Sequence, residues 1–230
     1  MENLPEIVER IHQGLEARTR ARDQALTQAR ALTRFSAHAV RGIHRAEHDL
    51  ALQNLEEGRK LVRSLQESLA PFPELFYAGY TQDAIKEYAE ANLTVALVEN
   101  QPLPSPEELD VEYATYLNGL AEAAGELRRR CLDIIRQGYN AEADRLLACM
   151  DDIYETLVTM DYPDAVTNGL RRQTDVTRSL LERTRGDLTI SVREQHLERR
   201  MQELAERLDC SNADIPEMDD SEGFEGGAGA

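Results

Sequence analysis

Prolines divide this chain. They stand at positions 5, 71, 73, 102, 104, 106, 163 and 216, clustered between long stretches and at the ends rather than inside them. Within a helix, proline removes a hydrogen bond and clashes with the preceding turn. The long proline-free stretches are rich in Ala, Leu, Glu and Arg, residues that favour helix. Tryptophan is absent and β-branched runs are short. The fold class this predicts is all-α, a bundle of about seven helices with no strand and no internal repeat. At 230 residues the chain is long enough for one substantial domain with its own core.

Apolar residues at helical spacing place the elements. Helices are expected over 5–44, 46–69, 82–99, 112–137 and 141–160, with a short turn at 74–79. Thr81 is the expected N-cap of the helix at 82–99. Residues 100–106 read as a connector, after which Ser105 as N-cap and Pro106 at the first helical position start a short turn. Pro163 opens a further helix to about 185, Gly186 fits its C-terminal stop, and Asp187 caps a last helix over 188–208. In that last helix Leu197, Met201, Leu204 and Leu208 form a narrow seam suited to one partner helix. Residues 209–230 hold seven acids and no bases and are expected to be a disordered acidic tail. The predicted organisation is therefore a helical domain over 1–208 and a tail over 209–230.

The net charge is −17, and of the 26 basic residues only Lys60 and Lys86 are lysine. Scarce lysine with abundant acids fits a cytosol of very high salt, as in halophilic archaea, where self-repulsion is screened. Acidity ordinarily argues against nucleic-acid binding, but in such a setting it is a background property and loses that force. Three widely spaced cysteines, Cys131, Cys149 and Cys210, indicate neither a disulfide framework nor a zinc site. No stretch has the length and apolarity of a membrane span, and the N-terminus lacks a leader pattern. The expectation is a soluble, cytoplasmic protein with no membrane partner.

Charge is locally scarce in two helices. Charged residues make up 30% of the chain, yet residues 88–98 carry only Glu90 and residues 113–125 only Glu122. Each belongs to a doublet, Glu87 with Glu90 (i,i+3) and Glu122 with Glu126 (i,i+4), so each doublet shares a helical face. Two such helices packed antiparallel could converge four carboxylates, which would repel unless a cation sat between them. Oxygen ligands select Mg²⁺ or Mn²⁺, and such a metal can position a phosphodiester and activate water. The bland account is a set of solvated acidic faces, since acidic pairs at these spacings are common among 43 acids.

Two other patterns carry chemistry. His44-Arg45-Ala46-Glu47-His48 satisfies the H-x-x-E-H spacing of inverted zinc peptidases, but it falls where one helix should give way to the next. Arg41 and Arg45 align with Arg34 on one face, Arg128-Arg129-Arg130 follow close after Glu126, and Arg171-Arg172 precede Arg178. Guanidinium groups suit phosphate because each can bind two oxygens. Of the Arg128–Arg130 run at least one should face the side of Glu126, while salt bridging to nearby acids is the bland account for any single one. No Gly-rich phosphate loop, serine elbow or Cys/His nucleophile pair is present, which restricts an enzyme reading to metal-assisted chemistry.

Several segments resemble the translin family, which comprises translin and translin-associated factor X. Lys86-Glu87-Tyr88-Ala89-Glu90-Ala91 is similar to Q-E-Y-V-E-A of the factor X branch, and Gly119-Leu120-Ala121-Glu122-Ala123-Ala124-Gly125-Glu126-Leu127 to its G-V-A-D-L-T-G-E-L. Val40-Arg41-Gly42-Ile43-His44-Arg45, and Asp161-Tyr162-Pro163 through Gly169-Leu170-Arg171-Arg172-Gln173-Thr174-Asp175-Val176, look like archaeal members. The resemblance covers roughly residues 5–190. It implies a seven-helix all-α fold that assembles into a closed homo-oligomer, an octamer or hexamer, and binds single-stranded RNA or DNA. The factor X branch adds metal-dependent endoribonuclease activity. On that pattern Glu87, Glu90 and Glu126 match catalytic and metal-binding acids, and Glu122 stands where the branch has Asp, moving the charge by about one methylene. The expected cofactor is Mg²⁺ or Mn²⁺, and the expected nucleic-acid contacts are Arg41, Arg45, Arg128, Arg129, Arg130, Arg171 and Arg172. The alternatives are a non-catalytic single-strand binder like translin, and a structural oligomer whose buried acids pair with arginines across subunits.

Overall fold

The computed structural model describes residues 3–213, with side chains through residue 207. Its elements are α1 (Leu4–His44), α2 (His48–Leu69), α3 (Pro73–Phe76), α4 (Gly79–Val98), α5 (Pro106–Leu109), α6 (Tyr113–Ile135), α7 (Ala141–Val158), α8 (Asp164–Thr167) and α9 (Leu170–Ala213). Every regular element among the described residues is helical, so the all-α bundle is what forms. Six helices are long, and α3, α5 and α8 are single turns. None is long and apolar enough to cross a membrane.

Local chemistry explains most boundaries. Ser105 accepts from the Glu108 amide while Glu108 reaches back to the Ser105 amide, a complete capping box with Pro106 at the first helical position. Thr81 does not cap α4, which begins at Gly79; its hydroxyl instead donates to the Leu75 carbonyl at 2.8 Å, tying α4 to the preceding turn. Asn168 and Gly169 take positive φ of 52° and 79°, and this left-handed pair separates α8 from α9.

The helix expected over 163–185 divides into α8 and the first part of α9, and α9 then runs on without a break through the helix expected over 188–208. Gly186 lies inside α9 and does not stop it. Leu181, Thr184 and Leu188 share one face across Gly186 and are all buried, and Arg128 of α6 reaches both Thr184 and Asp187. Continuing the helix keeps these contacts, and they outweigh about 1 kcal/mol of glycine's poor helix propensity. Asp187, expected as a cap, is the ion-pair partner of Arg128 at 2.8 Å. Helix α9 runs past 208 to Ala213; the expectation for the rest of the tail lies outside the described residues.

Two main apolar clusters meet along α4. One joins α1, α2 and the first half of α4 around Leu32, Val62, Leu65 and Tyr88. The other joins the second half of α4 with α6, α7 and α9 around Leu93, Leu127, Leu146, Met150 and Leu181. Helices α4 and α6 run parallel, so the doublets meet without the antiparallel packing considered for them. Their N-terminal ends meet where Thr115 donates to Gln82 at 2.8 Å, and further along both helices Lys86 reaches Glu122. The connector makes this orientation: it carries the chain back beside the start of α4, where Tyr77 bonds Glu112 and Gln66 bonds the Asp110 carbonyl. A segment of this length spans the roughly 30 Å of a 20-residue helix.

Two helix ends stand apart from the core. No residue of α1 before Ala25 is buried, and Leu4, Val8, Ile11 and Leu15 are exposed. Leu197, Met201 and Leu204 of α9 are at least 57% exposed, so the seam expected for a partner helix finds none among the described residues.

Candidate metal centre

Close approach of α4 and α6 builds the centre. A Cβ on Gly119 would lie 3.0 Å from the Ala89 Cβ and the Glu90 amide nitrogen and 3.1 Å from the Lys86 carbonyl. Only glycine therefore fits where the α6 backbone meets the turn carrying Glu87 and Glu90. One turn further, Glu122 joins them. Glu87, Glu90 and Glu122 each offer a carboxylate oxygen, and the three oxygens lie within 4.8 Å of one another. Among the described residues this is the one group of three or more potential ligands so arranged, and Glu126 stands outside it.

The acids compete for solvation and charge. Burial, then the charges of Glu87, Glu122 and Glu126, push the Glu90 carboxyl up to about 8. Burial followed by the Glu122 charge also raises Glu87. Lys86 donates to Glu122 Oε1 at 2.7 Å, and Gln173 of α9 donates to the same oxygen at 2.9 Å. Burial pulls the Lys86 ammonium down, but its bond to Glu122 and the charges of Glu122, Glu87 and Asp83 outweigh this and raise it. Like charges in a half-buried space thus drive Glu90 towards its protonated form.

Glu126 has different company. His44, at the last turn of α1, places Nε2 2.6 Å from Glu126 Oε2. That bond holds the Glu126 carboxyl below the usual range against its burial, with help from Arg129, whose Nη1 lies 3.5 Å from the same oxygen. This decides the H-x-x-E-H motif. His44 ends α1, His48 begins α2, and Ala46 between them takes a left-handed φ of 58°. His48 Nδ1 turns to Glu99 at 2.6 Å, so the two histidines have separate partners and no shared zinc position.

The arginines separate in the same way. A cavity of about 280 Å³ opens beside the acids, lined by Glu87, Glu90, Glu126, Arg41 and Arg129, with Ser36, Ala37 and Val40 completing its wall. Of the run after Glu126, only Arg129 lines it. Arg128 is held by Asp187 and Thr184, and Arg130 pairs with Glu142 at 3.5 Å. Arg45 is exposed beyond α1, Arg171 is exposed and near Asp161 at 3.4 Å, and Arg172 is exposed beside it at the start of α9. A larger open hollow of about 750 Å³ near the N-terminal ends of α4 and α6, with Phe76, Tyr77 and Tyr113 in its wall, holds none of the predicted site residues.

Three contributors carried no assigned role in the sequence: Lys86, Gln173, and His44 as the partner of Glu126. For Lys86 a signal existed, since it is one of only two lysines. Gln173 and His44 come from elements distant in the chain, and nothing local marks their meeting with α6.

No family model matches the chain. An uncharacterized protein of Methanocaldococcus jannaschii is 35% identical over 184 residues, which is 77% of this chain and 81% of that protein. Among solved structures, AfC3PO in complex with duplex RNA is similar at 31% identity and a TM-score of 0.74, over 80% of this chain and 95% of that one. A second crystal structure of AfC3PO gives 30% identity and the same TM-score, over 80% of this chain and 96% of that one. The chain belongs to the translin family. The fold of this translin-family protein is shared with apo-NeC3PO, at 20% identity and a TM-score of 0.73, over 83% of this chain and 98% of that one.

Proposed function

We propose that this translin-family protein binds RNA and cleaves it by metal-dependent hydrolysis of the phosphodiester backbone, with single-stranded RNA or DNA as its ligand class. The observation that carries the reading is the convergence of Glu87, Glu90 and Glu122 within 4.8 Å beside a cavity that also presents Arg41 and Arg129. Three oxygen donors fit Mg²⁺ or Mn²⁺, which keep part of their coordination for water and phosphate oxygens. A bound divalent cation supplies positive charge for the phosphate and makes a coordinated water more acidic.

The chain's own residues supply the rest. Glu87, Glu90 and Glu122 hold the ion, and Lys86 and Gln173 fix the Glu122 carboxylate. Glu126 stands beside the group as a carboxylate for water activation. Arg41 and Arg129 neutralise substrate phosphate at the cavity, and Arg45, Arg171 and Arg172 offer further exposed cations. That a relative 31% identical has been solved with duplex RNA supports RNA as the ligand. The exposed apolar faces of α1 and α9 support assembly into a homo-oligomer, an octamer or hexamer. Scarce lysine supports a halophilic archaeal cytosol as the working environment.

The test is an RNA cleavage assay in molar KCl, with single-stranded and duplex substrates, with and without Mg²⁺. Wild type should cleave only with the metal, and Glu90→Gln should lose most of the activity. Saturable binding with no cleavage under any metal condition would replace this reading with a non-catalytic binding protein.

A further inference from the structure

We propose that His44 is a positioning residue that, through Glu126 Oε2, holds this carboxylate outside the three-carboxylate metal group and leaves its other oxygen as the proton acceptor of the site. The inference rests on the reading of the centre as a metal-dependent RNA hydrolase. It divides the four acids into three ligands and one base.

The geometry points this way from three sides. Glu87, Glu90 and Glu122 gather within 4.8 Å without Glu126. Glu126 nonetheless lines the same cavity as Glu87 and Glu90, so it borders the space a substrate would enter. Both of its partners, His44 at 2.6 Å and Arg129 at 3.5 Å, take Oε2, and Oε1 has no hydrogen-bond partner among the described residues.

His44 is built to hold rather than to react. Its side chain is 4% exposed, and its Nδ1 is buried without a hydrogen-bond partner. A hydrogen on Nδ1 would be an unsatisfied buried donor, whereas one on Nε2 is donated to Glu126. This hydrogen bond fixes the orientation of the carboxylate.

In the step this serves, a water oxygen bonds to phosphorus as the phosphorus–oxygen bond to the leaving sugar breaks. One proton of that water passes to Glu126 Oε1, the leaving oxygen takes a proton from solvent water, and Glu126 then releases its proton to the hydroxide so formed. The products are a phosphomonoester and an alcohol.

The experiment combines Mn²⁺ titration calorimetry with steady-state RNA cleavage on the full-length protein. Glu126→Gln should bind Mn²⁺ within about threefold of wild type while kcat falls about 100-fold. His44→Leu should keep or tighten Mn²⁺ binding, lower kcat about 30-fold and leave KM within about twofold. His44→Gln, whose amide can donate in place of Nε2, should recover most of kcat. A tenfold loss of Mn²⁺ affinity in either His44→Leu or Glu126→Gln would make Glu126 a ligand and overturn the proposal, as would full activity in His44→Leu. If His44→Leu does not fold, Glu126→Gln decides alone. If wild type binds Mn²⁺ but cleaves no RNA, the hydrolase reading fails, and the titrations still decide whether Glu126 stands inside or outside the metal group.

Discussion

The Lys86 ammonium lies 2.7 Å from Glu122 Oε1, with both side chains 23% exposed. This contact clamps α4 to α6 at the level of the acids and places the bundle's one half-buried lysine among three carboxylates. Replacing it with an apolar residue leaves those carboxylates without their nearest cation. Lys86→Met should destabilise the metal-free protein by about 1–3 kcal/mol. Mn²⁺ should restore much of that loss. Thermal melts in EDTA and in Mn²⁺ check this; equal destabilisation in both would show that the lysine does not compensate the cluster.

Glu90 links the centre to pH. Its carboxyl ionises at about 8 in the folded, metal-free protein, against an ordinary value of 4.5. Between those values folding takes up a proton, so this group favours the folded state most at the acid end and its contribution is lost as pH rises towards 8. Glu90→Gln should therefore stabilise the metal-free protein by about 2 kcal/mol at pH 8 and by little at pH 5. Metal binding runs the other way, because the ion must displace the proton. Mn²⁺ affinity should rise up to about tenfold per pH unit below 8 in wild type, and flatten in Glu90→Gln.

Gly119 sets how close the two helices come. Backbone atoms of Lys86 and Glu90 stand 3.1 and 3.0 Å from where its Cβ would be, and backbone cannot swing aside like a side chain. Gly119→Ala should cost about 1–3 kcal/mol by overpacking. Parting the helices should also weaken Mn²⁺ binding, which calorimetry reads directly. Unchanged affinity would mean that the three oxygens do not depend on this approach.

Gly186 gives the opposite expectation. It sits inside a continuous α9, and a Cβ there meets nothing within 4 Å. Gly186→Ala should stabilise the protein by about 0.5–1 kcal/mol in urea unfolding. Destabilisation would indicate a helix break at this position in solution.

The bundle was legible because proline spacing and helical periodicity act locally. Most helix ends fell close to where capping and turn residues put them, and the Ser105 box formed as its sequence pattern demands. Gly186 misled because a glycine's tendency to end a helix is small, and burial of Leu181 and Leu188 decided the outcome. The carboxylate doublets were legible as faces, since their spacing fixes a side of each helix. Their meeting partners were not. Helix direction depends on the path of the connector, and His44, Lys86 and Gln173 reach the acids through contacts separated by 36 to 82 positions. The Arg128–Arg130 run shows the same limit: three adjacent residues look equivalent in sequence, and helical rotation gives one to the cavity and two to ion pairs.

All of the acids, Lys86, Gln173 and His44 come from one polypeptide, on α1, α4, α6 and α9. On the proposed reading, an assembly of identical copies would therefore hold one such set of residues in every subunit. Mixing wild-type chains with Glu90→Gln chains should dilute turnover in straight proportion to the inactive fraction. A centre that needed an intact Glu90 from each of two neighbouring chains would instead follow the square of the wild-type fraction, so dose–response stoichiometry tells these two arrangements apart.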